Sequence, residues 1–111
     1  MSPRYLFGID AGQTTVKAVL HDERLRPIAT ARRSSPLQTK IPRHIERSQN
    51  ALWAAAAYAI GEAVTSSGIR PSEIAAVAVT GHGDGLHLVD AKGRPVGAAI
   101  TAVDSRAHEE A

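Results

Sequence analysis

The sequence predicts an α/β domain: a β-meander, then a helix, a parallel strand and a β-hairpin. Three observations predict it. Short apolar runs divided by turn residues extend from Tyr5 to Arg32, an i, i+3, i+4 repeat runs from Leu52 to Ala63, and a Val/Ala-rich run follows at Ile74–Thr80. The 111 residues suit one small domain, since domains typically take roughly 100–200, and no second one is expected. The absence of cysteine excludes a disulfide framework, thiolate zinc sites and thiol catalysis. A formal charge of +2, from 13 Lys and Arg against 11 Asp and Glu, is too small to make a nucleic-acid-binding surface, so no nucleic-acid partner is expected. The start, Met1–Asp10, holds no secretory apolar region, and the run Ala51–Ala59 is about half of the ~20 residues a membrane helix needs. The expectation is a cytoplasmic protein with no membrane partner. One Phe, one Trp and two Tyr leave any core to be built from small side chains.

Each element has a local reason. Tyr5–Gly12 reads as a strand entering a Gly-marked turn, and Thr14–Leu20 as a second strand with Val16, Ala18 and Leu20 on one face and Lys17 and Val19 on the other. Asp22-Glu23-Arg24 is a polar turn, and Pro27–Arg32 returns as a third antiparallel strand. Ser34–Arg43, interrupted by Pro36 and Pro42, has no regular period and reads as a loop. Ser48 is a plausible helix N-cap, Leu52, Ala55, Ala56, Ala59, Ile60 and Ala63 form one face with Trp53 beside them, and Gly68 is the left-handed stop. After a turn at Pro71–Glu73, Ile74–Thr80 reads as a strand of the buried parallel type. Gly81–Gly85 breaks it. Leu86–Asp90 and Pro95–Thr101 form two further short strands around a turn at Ala91–Gly93, and Asp104–Ala111 reads as a trailing segment.

Three places can carry chemistry. At the first hairpin, Gly12 lets the backbone approach a phosphate, Thr14 and Thr15 add hydroxyls, Lys17 adds charge, and Asp10 is suited to Mg²⁺, directly or through water. The same residues equally suit a plain hairpin. In Gly81-His82-Gly83-Asp84-Gly85, three glycines present His82 and Asp84, a pair suited to hydroxyl groups, after a strand where α/β sheets place ligand loops. A flexible polar turn fits that segment as well. Zinc on His82 and His87 is disfavoured, because their spacing does not aim both rings at one point. Asp104 either faces the cleft of Asp84 or pairs with Arg106 on a frayed tail. Arg32, Arg33, Lys40, Arg43 and Arg47 read as a solvated basic region around the long loop.

In order, Phe7–Asp22, His44–Arg47, Ala51–Trp53, Ile74–Gly85 and Gly93–Arg106 resemble the FGGY carbohydrate kinases, relatives of glycerol kinase, xylulokinase and L-xylulose kinase in the actin-like ATPase superfamily. The resemblance covers nearly the whole chain. It implies a truncated actin-like ATPase (ribonuclease H-like) domain and transfer of the γ-phosphoryl group of ATP to a hydroxyl of a small-molecule sugar or polyol. Asp10 would match the Mg²⁺–nucleotide aspartate, Gly12, Thr14, Thr15 and Lys17 the phosphate hairpin, and His82, Asp84 and Asp104 the sugar side. Gln13 stands where Thr or Gly is more usual, and Ala102-Val103 where many relatives have Trp. The glycine-rich loop looks more like the L-xylulose or erythritol kinase branch than the glycerol kinase branch.

The resemblance further implies that residues 1–111 are a partial N-terminal, sugar- and phosphate-binding domain, with the C-terminal domain absent. The catalytic base then lies downstream, no catalytic residue is present in this chain, and the chain alone is inactive. An apolar face and an open edge at Ile74–Thr80 are then expected to stay exposed and to favour self-association. A reading from a different class is a non-catalytic nucleotide- or polyol-binding module of actin-like fold.

Overall fold

A computed structural model describes residues 4–110. The expectations for Met1–Pro3 and for Ala111 fall outside them. Strands β1 (Tyr5–Ala11), β2 (Thr15–His21) and β3 (Pro27–Ser34) form the expected meander, with β1 antiparallel to β2 and β2 to β3. Asp22 closes the second turn: its carboxylate accepts the backbone N–H groups of Arg24 and Arg26 and pairs with the Arg26 side chain at 2.7 Å.

Helix α1 (Gln49–Ser67) follows the predicted limits. The Ser48 hydroxyl accepts the Ala51 N–H at 3.1 Å, and Gly68, at φ 74°, ends the helix in the left-handed conformation. Ala55, Ala59 and Ala63 are buried against Phe7, Ile9, Val16, Ala18, Leu20 and Ala31. With methyl groups on the helix side, the helix lies close on the sheet and the bulk of the core comes from the strands. Trp53, expected beside this face, is 76% exposed on the opposite side.

After a 3-10 turn at Pro71–Glu73, strand β6 (Ile74–Gly81) pairs parallel to β1 and gives the sheet order β3-β2-β1-β6. Pairing is as the sequence predicts; the burial suggested by the Val/Ala-rich run is not found, whereas the exposed apolar face and open edge expected at Ile74–Thr80 are. Val77 and Val79 share a face with the buried Phe7 and Ile9 in register, yet remain 60% and 70% exposed. The helix packs over β1–β3, so β6 projects past its cover as an edge strand.

The long-loop expectation for Ser34–Arg43 is also corrected. Strands β4 (Gln38–Ile41) and β5 (His44–Arg47) form a hairpin through Pro42 and Arg43, with Arg43 at φ 68°. That turn normally carries glycine at its left-handed position, so the sequence lacks the usual signal. Its support comes from far along the chain, where β7 (Ala99–Ile100) pairs with Glu46 and Arg47 and completes a second sheet, β4-β5-β7. The predicted strands at Leu86–Asp90 and Pro95–Thr101 shrink to β7 and two isolated bridges, Leu86 with Ile100 and Val89 with Pro95.

Candidate phosphate and substrate site

The candidate residues converge because β1 and β6 are parallel and end together. Ala11 lies beside Gly81, so the turn after β1 and the glycine-rich loop after β6 emerge side by side at the carboxyl ends of the strands. A Cβ on Gly81 would stand 3.2 Å from the Ala11 carbonyl oxygen, so a side chain there would require the neighbouring backbone to give by a few tenths of an ångström.

On the sheet face away from α1, strand register sets Thr80, Asp10, Lys17 and Arg32 in one row across β6, β1, β2 and β3. Asp10 is exposed, and neither it nor Lys17 takes part in an ion pair among the described residues. Gly8, Asp10, Lys17, Val19, His21 and Thr80 line an open depression on this face. A lone carboxylate beside a lysine is a poor cage for a metal by itself, and no cluster of three metal-ligating side chains occurs among the described residues. It does suit Mg²⁺, which keeps several waters and is usually held by one or two carboxylates together with substrate phosphates.

The turn itself is tightly built. Gly12 N–H donates to the Thr15 carbonyl at 3.0 Å, and Ser35 N–H donates to the Thr14 carbonyl at 2.8 Å. Arg47 was expected in a solvated basic region. Instead it is 2% exposed, and its guanidinium donates to the carbonyls of Gly12 and Gln13 at 2.6 and 2.5 Å. Burial draws its pKa below the ordinary arginine value, but the group stays charged. A charged residue in a polar stretch is solvated by default, and here the β5–β7 pairing, which joins residues far apart in the chain, turns Arg47 inward.

The glycine-rich loop is tied down at its far end by reciprocal bonds between Leu86 and Ile100, at 2.8 and 3.0 Å. Both His82 ring nitrogens are shielded from solvent and have no hydrogen-bond partner. Asp84 is exposed and sits at φ 63°, a left-handed conformation that costs energy for a residue with a side chain. A shielded, unpartnered imidazole next to a strained acid is an arrangement that a ligand with hydroxyl groups would complete.

Asp104 belongs to a different arrangement. Its side chain is 4% exposed, it accepts the Ile45 N–H at 2.6 Å, and it pairs with Arg106 at 2.7 Å. Arg106 also reaches Glu46 at 2.8 Å. The Arg106 side chain, the Arg106 N–H and the Ile45 N–H together hold the Asp104 carboxyl well below the usual carboxylate range, against an opposing effect of burial. The start of the expected trailing segment is therefore an anchor that fixes β5.

A family model described as the N-terminal domain of the FGGY family of carbohydrate kinases matches residues 5–111. The chain is 34% identical over 105 residues to a protein of Haemophilus influenzae named "Probable L-xylulose kinase", covering 95% of this chain and 22% of that protein. It is 31% identical over 106 residues to the L-xylulose/3-keto-L-gulonate kinase of Escherichia coli, covering 96% of this chain and 21% of that one. Among solved structures, a xylulose kinase from Rhodospirillum rubrum superposes with a TM-score of 0.87 at 27% identity, over 96% of this chain and 22% of that one. The chain thus spans about a fifth of the length of the curated relatives it matches.

Proposed function

The chain belongs to the FGGY family of carbohydrate kinases, with the actin-like fold of that family, and we propose that it forms the wall of a kinase site on which ATP phosphates and a sugar or polyol meet. The carrying observation is the convergence of the β1–β2 turn and the glycine-rich loop at the carboxyl ends of two parallel strands. Phosphoryl transfer depends mainly on positioning and on charge stabilisation. Gly12, Thr14, Thr15 and Lys17 would hold the phosphates. Asp10 would hold Mg²⁺, directly or through its waters, and the metal when bound would neutralise phosphate charge.

His82 and Asp84 would orient the accepting hydroxyl, the imidazole finding there the partner it lacks. Asp104 would serve the substrate side through the backbone of β5 that it anchors. The L-xylulose kinase relatives favour a ketopentose or related polyol as acceptor. The remaining four-fifths of the relatives' length would supply the general base and the adenosine contacts, so the 111-residue chain binds without turning over. A cytoplasmic setting suits a reaction that consumes ATP, and no described helix is long and apolar enough to cross a membrane.

Calorimetry with MgATP, MgADP and a panel of ketopentoses and pentitols tests this reading. Millimolar or tighter binding of MgATP is expected, weakened at least about tenfold by Asp10→Asn when Mg²⁺ is present and little changed in EDTA. Absence of both nucleotide and sugar binding at millimolar ligand would overturn it, and turnover by the 111-residue chain would overturn the assignment of the base to the part of the relatives that this chain does not match.

A further inference from the structure

The turn between β1 and β2 carries a feature that its own sequence does not explain. Gly12 and Gln13 present two successive carbonyls to the same guanidinium, that of Arg47, 35 and 34 positions away. Because a trans peptide sets its N–H opposite its C=O, capturing these two carbonyls from behind turns the N–H groups of Gln13 and Thr14 to the other side. Neither N–H has a partner within the chain among the described residues. Two adjacent unbonded amides on one side of a turn make an anion-binding concavity.

The charge balance points the same way. Arg47 is among the largest side chains buried completely, it makes no ion pair among the described residues, and its Nε has no partner. A buried cation offset only by carbonyl dipoles is costly to keep. An anion bound on the opposite face of the same two peptides would complete its neutralisation. Hydrophobic packing at this position would have been simpler to achieve, so the charge calls for a use.

We propose that Arg47 is a positioning residue of the phosphate turn: it fixes the Gly12–Gln13 peptides with their amides facing outward and places a buried positive charge behind the bound polyphosphate. The inference rests on the reading of this turn as a phosphate site, but its effect on the turn can be measured without any ligand. Lys17 and Arg32 supply charge on the open face of the sheet, and Arg47 supplies geometry and charge at the turn carbonyls.

The test compares the 111-residue chain with Arg47→Met and Arg47→Lys. In the absence of ligand, NMR hydrogen exchange of the Gly12 amide is expected to accelerate about tenfold or more in Arg47→Met and to a smaller extent in Arg47→Lys. The Leu25 amide, in the separate turn closed by Asp22, should not respond. Titration with inorganic tripolyphosphate is expected to shift the Gln13 and Thr14 amides of the wild type, with affinity reduced at least about tenfold in Arg47→Met and partly retained in Arg47→Lys.

An unaltered Gly12 exchange rate in Arg47→Met overturns the positioning role, whatever the ligands do. If Arg47→Met does not fold, Arg47→Lys carries the comparison, and wild-type polyphosphate affinity together with wild-type Gly12 exchange in that variant overturns the proposal. A wild type that binds neither tripolyphosphate nor MgATP removes the phosphate reading, while the exchange comparison still decides what Arg47 does to the turn.

Discussion

Gly12 tolerates no side chain, because a Cβ would stand 2.8 Å from the Thr15 carbonyl oxygen that its own N–H bonds. Gly12→Ala is expected to open that bond, lower stability by about 1–3 kcal/mol and weaken MgATP binding at least tenfold, as thermal melting and calorimetry would show. Asp104 offers a pH test. Its folded pKa lies below the ordinary value of about 3.9, so its contribution to stability is complete above that pH and is lost as pH falls toward the folded value. The melting temperature of Asp104→Asn should therefore lie below that of the wild type at pH 7, with the gap closing below about pH 4. A gap that stays constant from pH 7 to pH 2 would show that the charge on Asp104 contributes nothing. The candidates Asp10, Gly12, Lys17, His82 and Asp84 are singled out by turn glycines and strand ends that mark them locally. Arg47 is not, since nothing near it in the sequence distinguishes a buried arginine from a solvated one.

Element by element, what was legible depended on how local the cause was. The limits of α1 follow from the Ser48 cap, the alanine face and Gly68, all within the segment itself. Ser48→Ala should cost about 1 kcal/mol and roughly 5 °C of melting temperature, measurable by circular dichroism, and Ser48→Asp should recover most of it. The β1–β2–β3 meander follows from alternation and polar turns in the same way. Strands β4 and β5 have no such signature: four residues each, little burial in β4, and a turn with arginine in the left-handed position. Their reason is the β7 strand, the Thr101 hydroxyl bonded to the Ile45 carbonyl at 2.9 Å, and the Asp104 carboxylate on the Ile45 N–H.

At the scale of the whole molecule, the main sheet is covered on one face over three strands and exposed at its fourth. Val77 and Val79 extend the apolar row of Phe7 and Ile9 past the edge of α1, on a strand whose outer backbone groups have no neighbour in the sheet order. Exposed apolar edge strands pair with other chains. Sedimentation velocity is expected to show concentration-dependent self-association of the isolated chain, reduced by Val79→Lys, with the helix and meander intact by circular dichroism. A concentration-independent monomer would show that this edge does not drive association.

The resemblance to the carbohydrate kinases was carried by the order of the motifs, while the sequence by itself determined the meander, the helix with both its caps and the parallel strand. These depend on periodicity, capping and turn chemistry, which act over a few residues. Only the tertiary structure decided that Ser34–Arg43 leads into a hairpin, that Arg47 is buried against the β1–β2 turn, that Asp104 anchors β5, and that α1 stops short of covering Val77 and Val79. Each of those depends on a partner distant in the chain, as with Asp104 and Ile45, 59 positions apart. Burial of a charge or exposure of a valine is set by what packs against it, and local sequence does not encode that.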